Sequence, residues 1–212
     1  MHDQKVPEQK VLDGVLFDFD GVIRQWDEPD LMTFEAEAGF EIGTVFEVAF
    51  HPDVNHPVIR GDRTWEQWRA MVLDRLTDTH GEHIEPVVHR FFEFEGRIDP
   101  HMVELLEALR GQVRIGLLTN NHDRFEAYLE RVGLTGHFDV VVNTHRIGAA
   151  KPDPRAYHLA LGALGVSAER CLFTDDLERN TQGATEAGLH AHHFVGQTGL
   201  EAALSELSIR AY

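Results

Sequence analysis

The chain has 212 residues, 42% hydrophobic and 26% charged, the balance of a soluble globular protein with one sizeable core or one core plus a small appended domain. A net charge of −17 makes nucleic acid and an anionic membrane surface poor partners, and an anionic substrate would need positive charge supplied locally by a cation or a lysine. One cysteine, Cys171, excludes an intramolecular disulfide. With a polar start over residues 1–10, no secretory signal and no apolar run of membrane-spanning length, a cytoplasmic protein is expected.

Residues 1–10 read as a frayed leader. Residues 11–19 are an apolar, β-branched-rich run without proline, the pattern of a buried strand, and the run ends in Asp18-Phe19-Asp20-Gly21. Between about 24 and 98 strand signals vanish. Asp27-Glu-Pro-Asp precedes a short helix start at 31–34, residues 44–50 make one or two helical turns, and 51–57, with two prolines and an asparagine, read as a loop. Thr64 caps a helix in which Trp65, Trp68, Val72 and Leu76 recur at helical spacing until Gly81 stops it. A helix over 85–95 offers Val88, Phe91 and Phe92 for packing. Asp99-Pro100 then opens another, with an apolar face of Met102, Leu105, Leu106 and Leu109, ended by Gly111. From there strands at 113–118, 138–142, 171–174 and 190–195 alternate with helices at 122–132, 154–164, 178–187 and near 200–207. Such alternation predicts a parallel sheet covered on both faces. The expected fold class is α/β: a doubly wound sheet from 1–23 and 99–212, interrupted by an all-helical segment over 24–98.

Polar chemistry gathers where the strands end. Asp18 and Asp20, two residues apart, point the same way while the chain stays extended, and Gly21 lets it leave by a tight turn. In an open parallel sheet that edge is where ligands bind. The second core strand ends in Thr119-Asn120, which could face an anion or cap the next helix. Lys151, between Gly148-Ala-Ala and Pro152-Asp-Pro154, fits neither a helix interior nor a strand interior. It is either a solvated loop lysine or an ammonium aimed by the flanking prolines at a ligand. Cys171-Leu-Phe-Thr-Asp175-Asp176 repeats the opening theme. Adjacent residues on an extended chain diverge, so only one of these acids can point into a given site, and Asn180 returns to the same side on the first helical turn. Clustered carboxylates repel unless a divalent cation joins them, and an all-oxygen donor set selects Mg²⁺ over zinc or copper.

The ordered set Asp18-Phe-Asp-Gly-Val-Ile, Leu118-Thr-Asn, Lys151-Pro-Asp-Pro and Phe173-Thr-Asp-Asp with Asn180 resembles the haloacid dehalogenase-like (HAD) hydrolase superfamily. Gly183-Ala-Thr-Glu-Ala-Gly188 fits as well. The resemblance implies a Rossmann-like core with the insert as a helical cap. It implies that Asp18 is the nucleophile, forming an aspartyl-phosphate, and that Asp20 is the acid and base. Thr119 and the Asn120 backbone N–H would cradle the phosphoryl group, and Lys151 would neutralise it. Mg²⁺ would be held by Asp18, the Asp20 carbonyl and the acids of the last motif, with Asp176 direct and Asp175 through water. Asn180 stands where many relatives have an aspartate, which suggests a supporting role behind the ligands.

The function so implied is a Mg²⁺-dependent phosphatase acting on a small phosphorylated metabolite, as a monomer or homodimer. The rivals are a phosphomutase of the β-phosphoglucomutase type and a catalytically silent binding or regulatory module. A 2-haloacid dehalogenase fits less well, because that branch lacks an acid at the position of Asp20. Other features are read as structural. His190, His192 and His193 fall on the last strand without carboxylate or cysteine neighbours. His51 and His56 are at most substrate contacts, Trp65 and Trp68 belong to the insert's own core, Arg60 could reach an anionic substrate but reads more simply as solvated, and Cys171 is buried and inert.

Overall fold

The computed structural model describes residues 12–26 and 29–207. The leader, Val11 and the acidic residues Asp27 and Glu28 lie outside the described residues. A parallel five-stranded sheet runs in the order β5-β4-β1-β6-β7, made of β1 (Gly14–Phe17), β4 (Arg114–Thr119), β5 (Val140–Asn143), β6 (Cys171–Asp175) and β7 (His190–His193). The central strand β1 pairs with β4 on one side and β6 on the other. Winding therefore reverses between β1 and β6, and the crevice beyond their carboxyl ends is the topological switch point.

Period-two alternation sorts the sheet's side chains onto two faces. Val15, Phe17, Ile115, Leu117 and Leu172 join one core with α6 (Pro100–Leu109), α7 (Phe125–Arg131) and α11 (Gln197–Glu206). Leu16, Leu118, Cys171 and Phe173 join the other with α9 (Pro154–Leu164) and α10 (Glu178–Glu186). Both faces are covered, as the unbroken apolar strands require. A short helix, α8 (Thr144–Ile147), follows β5.

Between β1 and α6 the chain makes a helical insert with its own core, including Val54, Trp68, Val72, Leu76, Val88 and Phe91. Its helices are α1 (Pro29–Glu37), α2 (Thr44–Ala49), α3 (Pro52–Ile59), α4 (Trp65–His80) and α5 (Glu85–Glu93). The expected loop over 51–57 is instead α3. Pro52 takes the first helical position, where no N–H bond is lost, and Val54, Val58 and Ile59 are buried against the insert. The segment expected to lack strands holds two short ones, β2 (Arg24–Gln25) and β3 (Arg97–Ile98). They pair antiparallel where the chain enters and leaves the insert. Two residues are too few to show a period. The helix expected from residue 122 starts at Phe125, because Asn121 and His122 are engaged at the sheet edge.

Two hydrogen bonds illustrate how the insert rests on the core. The Trp65 N–H donates to Asp123 Oδ1 at 2.6 Å, and His145 Nδ1 donates to the Val58 carbonyl at 2.8 Å. Gly61, at φ +82°, presses so closely on the His145 carbonyl that a Cβ would lie 2.3 Å from it. Among the described residues, no helix is long and apolar enough to cross a membrane.

Candidate active site

At the end of β1 the Asp18 N–H donates to the Thr174 carbonyl at 2.9 Å, and the Phe19 N–H donates to Asp18 Oδ1 at 2.7 Å. The chain then closes a tight turn, with the Ile23 and Arg24 N–H groups on the Phe19 carbonyl at 2.8 and 2.9 Å. Gly21 sits in this turn at φ +81°, and a Cβ there would lie 2.2 Å from Asp176 Oδ2. Only glycine brings the β1 turn this close to the acids that follow β6.

Oxygens of Asp18, Asp175 and Asp176 lie within 4.8 Å of one another. Lys151 enters from the loop before α9, buried, with Nζ 2.7 Å from Asp18 Oδ1 and 2.7 Å from Asp175 Oδ2. Asp175 is further saturated: Asn180 Nδ2 donates to both of its oxygens at 2.9 and 3.0 Å, and the Leu177 N–H to Oδ1 at 2.9 Å. Tyr157 donates to the Asn180 carbonyl at 2.7 Å and fixes that turn. Asp176 is only half-buried, and among the described residues no other side chain donates to it.

Burial pushes the Asp18 carboxyl well up, and neighbouring Asp175 adds to this against the pull of Lys151. For Asp175 burial acts in the same direction, but Lys151 outweighs it and holds the group low. Burial and Asp175 raise Asp176. One ammonium does not balance three converging carboxylates, so a divalent, oxygen-seeking cation fits this donor set. Asp18 and Asp176 have oxygens to offer such an ion, whereas those of Asp175 are already engaged.

Thr119 and Asn120 lie outside this carboxylate group. Asn120 is not a helix cap: its Nδ2 donates to the Lys151 carbonyl at 3.0 Å and its Oδ1 accepts from the Lys151 N–H at 2.9 Å, tethering the lysine loop to β4. Thr119 Oγ1 accepts from Asn121 Nδ2 at 3.4 Å. Asp20 stands at the rim. Its Oδ1 accepts from Arg24 Nε at 2.6 Å and Trp26 Nε1 at 2.8 Å, and its Oδ2 from Asn121 Nδ2 at 3.1 Å. Burial alone would raise its carboxyl, but the Arg24 guanidinium, the Trp26 N–H and His122 together hold it below the usual range. Sequence reasoning missed Arg24, Trp26 and Asn121. The available signals were the i, i+4 spacing of Asp20 and Arg24 and the second asparagine after Thr119. His190, His192 and His193 lie on edge strand β7; His190 and His193 each contact a backbone carbonyl.

A family model described as haloacid dehalogenase-like hydrolase matches residues 12–188, and the chain belongs to that family. A Mycobacterium tuberculosis phosphatase is 46% identical over 90 residues, 42% of each chain. The Escherichia coli GMP/IMP nucleotidase YrfG is 38% identical over 107 residues, 49% of this chain and 47% of its own. The chain thus spans less than half the length of these curated relatives. A HAD family enzyme of Bacteroides thetaiotaomicron, solved in complex with magnesium and inorganic phosphate, superimposes with a TM-score of 0.70 at 20% identity. That match covers 88% of this chain and 96% of the other, a likeness of fold.

Proposed function

We propose that this chain is a Mg²⁺-dependent phosphatase that hydrolyses a small phosphorylated metabolite through an aspartyl-phosphate on Asp18. The observation that carries it is the buried Asp18 carboxylate at the switch point, with Lys151 Nζ at 2.7 Å and the Asp176 carboxylate beside it. In the proposed reaction an oxygen of Asp18 attacks phosphorus in line, and the bond to the leaving oxygen breaks. Asp20, which must take up a proton as substrate binds, gives that proton to the leaving oxygen and then takes one from the water that hydrolyses the acyl phosphate. Lys151 neutralises charge on the phosphoryl oxygens while Asp175 and Asn120 hold it in place. Thr119 and the Asn120 N–H cradle the same group. Asp18, the Asp20 carbonyl and Asp176 would hold Mg²⁺ directly, with Asp175 and Asn180 behind them. When bound, the ion supplies charge that lets carboxylates and phosphate share one site. In this proposal the insert, 24–98, is a cap that excludes water and selects the leaving group over a core of 1–23 and 99–212.

The test is a screen of phosphate esters with Mg²⁺, scored for phosphate release and for phosphoryl transfer, repeated in EDTA and with Asp18→Asn. Turnover should need Mg²⁺, release free phosphate and fall to background in the variant, with trapped phosphate on Asp18 alone. Full turnover in EDTA, an active Asp18→Asn protein, or the label on another residue would defeat the proposal.

A further inference from the structure

Asp20 is held more firmly than an exposed acid and base needs to be. The tight turn after β1 folds Arg24 back beside Asp20, so that Arg24 Nε reaches Oδ1 at 2.6 Å. Arg24 is itself buried, its guanidinium 5.1 Å from the Phe19 ring centroid, 4.6 Å from that of Trp26 and 4.7 Å from that of Tyr128. Its Nη1 donates to the Glu95 carbonyl at 3.4 Å. Trp26 adds its indole N–H to the same Oδ1 at 2.8 Å and packs its ring on Phe94 at 5.7 Å. Arg24 and Trp26 stand where the chain enters the insert, and Phe94 and Glu95 where it leaves. The exit crossing thus braces the two entry residues that hold this carboxylate oxygen.

We propose that Arg24 and Trp26 are positioning residues for proton transfer: by saturating Oδ1 of Asp20 they fix the carboxylate plane and leave Oδ2 as the oxygen that exchanges the proton. This rests on Asp20 being the acid and base of the proposed phosphatase. Oδ1 has two donors, one of them charged, and has no lone pair left to carry a proton toward substrate. Among the described residues Oδ2 meets only the Asn121 amide, at 3.1 Å, which leaves it a lone pair for the proton. A carboxylate held this way offers its proton from one place, and a displacement of about 1 Å can cost on the order of 10²-fold in rate.

The experiment compares first-turnover leaving-group release, with Mg²⁺, from p-nitrophenyl phosphate and from glycerol phosphate. The proteins are wild type, Trp26→Phe and Arg24→Gln. Trp26→Phe keeps an aromatic ring against Phe94 while removing the indole N–H. The alkyl ester needs its leaving oxygen protonated and the nitrophenyl ester scarcely does. Both variants should therefore slow the alkyl ester by roughly 10-fold or more while slowing the nitrophenyl ester much less. Mg²⁺ affinity, titrated with the metal alone, should stay near that of wild type. An equal loss on both esters, or no loss in Trp26→Phe, overturns the clamp. Should Arg24→Gln fail to fold, Trp26→Phe still decides. If wild type turns over no ester in the wider screen, the phosphatase proposal itself fails, and the clamp with it; where it prefers others, an aryl and an alkyl ester from that screen replace these two.

Discussion

Lys151 carries one positive charge and meets two buried carboxylates at the same distance, 2.7 Å. Asp18 and Asp175 were legible as candidates because each ends or follows an apolar strand at the ligand-binding edge, whereas Lys151, in the loop after α8, read equally as a solvated lysine, so its pairing with both carboxylates was not legible. Arg24, Trp26 and Asn121 were signalled only by the Asp20–Arg24 spacing and a second asparagine, too little to assign them a role. A turn arginine ordinarily reads as solvated, and nothing local shows that it will be buried over three rings. His122 lies in the same wall, its ring 6.1 Å from Trp68 and 6.4 Å from Trp65. Burial, aided by the Arg24 guanidinium, pushes its imidazole down to about 4. The folded state thus binds this proton less well than the unfolded chain, where the value is about 6.5. The stability tied to neutral His122 is therefore complete above about pH 6.5 and is lost as pH falls toward 4, by roughly 2 kcal/mol at pH 5. Denaturant unfolding of wild type and His122→Asn at pH 7.5 and pH 5 checks this. The advantage of wild type should shrink or reverse at the lower pH, and a gap that does not change with pH would rule the effect out.

Elements that announce themselves by repeated spacing were read correctly: α4, α6, α9 and the strands of the sheet. The misread ones, α3, β2 and β3, owe their form to what they pack on. Pro52 and Pro57 look like a loop until Val54 and Val58 find a buried face, and β2 exists only because β3 returns beside it. The start of α4 is specified locally and tightly. The Gln67 N–H donates to Thr64 Oγ1 at 3.3 Å and the Thr64 N–H to Gln67 Oε1 at 2.9 Å, a reciprocal capping box. The next N–H, of Trp65, leaves the helix to reach Asp123, so this one turn both caps α4 and docks the insert. Thr64→Ala should destabilise the protein by about 1 kcal/mol, and Thr64→Ser should recover most of that. Urea midpoints of the three proteins measure it; equal midpoints would mean that docking, not capping, fixes this helix end.

At the scale of the molecule, the insert and the sheet bury separate cores, and the insert's two ends meet. The Asp99 N–H donates to the Ile23 carbonyl at 2.9 Å, just before β2 and β3 pair. Residues 24–98 can therefore be excised and Ile23 joined to Asp99 by a short Gly-Ser linker without stretching the chain. The excised protein loses the Trp65–Asp123 and Val58–His145 bonds and the packing of Arg24 on Phe19 and Tyr128. It keeps β1 between β4 and β6 and most of the sheet's apolar packing, losing Ile98 from one face. We expect it to unfold in one cooperative transition with a smaller denaturant slope, because less surface is exposed on unfolding. It should still bind Mg²⁺, since Asp18, Asp175 and Asp176 all lie in the part that remains. Two kinds of selectivity should disappear together. The ranking among phosphate esters should flatten if the insert selects the leaving group, and alkyl esters should suffer most, because Arg24 and Trp26 leave with the insert and Asp20 loses both donors on Oδ1. Circular dichroism, metal titration and the ester screen test each step on one sample. A protein that fails to fold would show that the sheet depends on the insert for its stability. One that folds and keeps the parent's ranking would move substrate selection to the loops at the sheet's carboxyl edge.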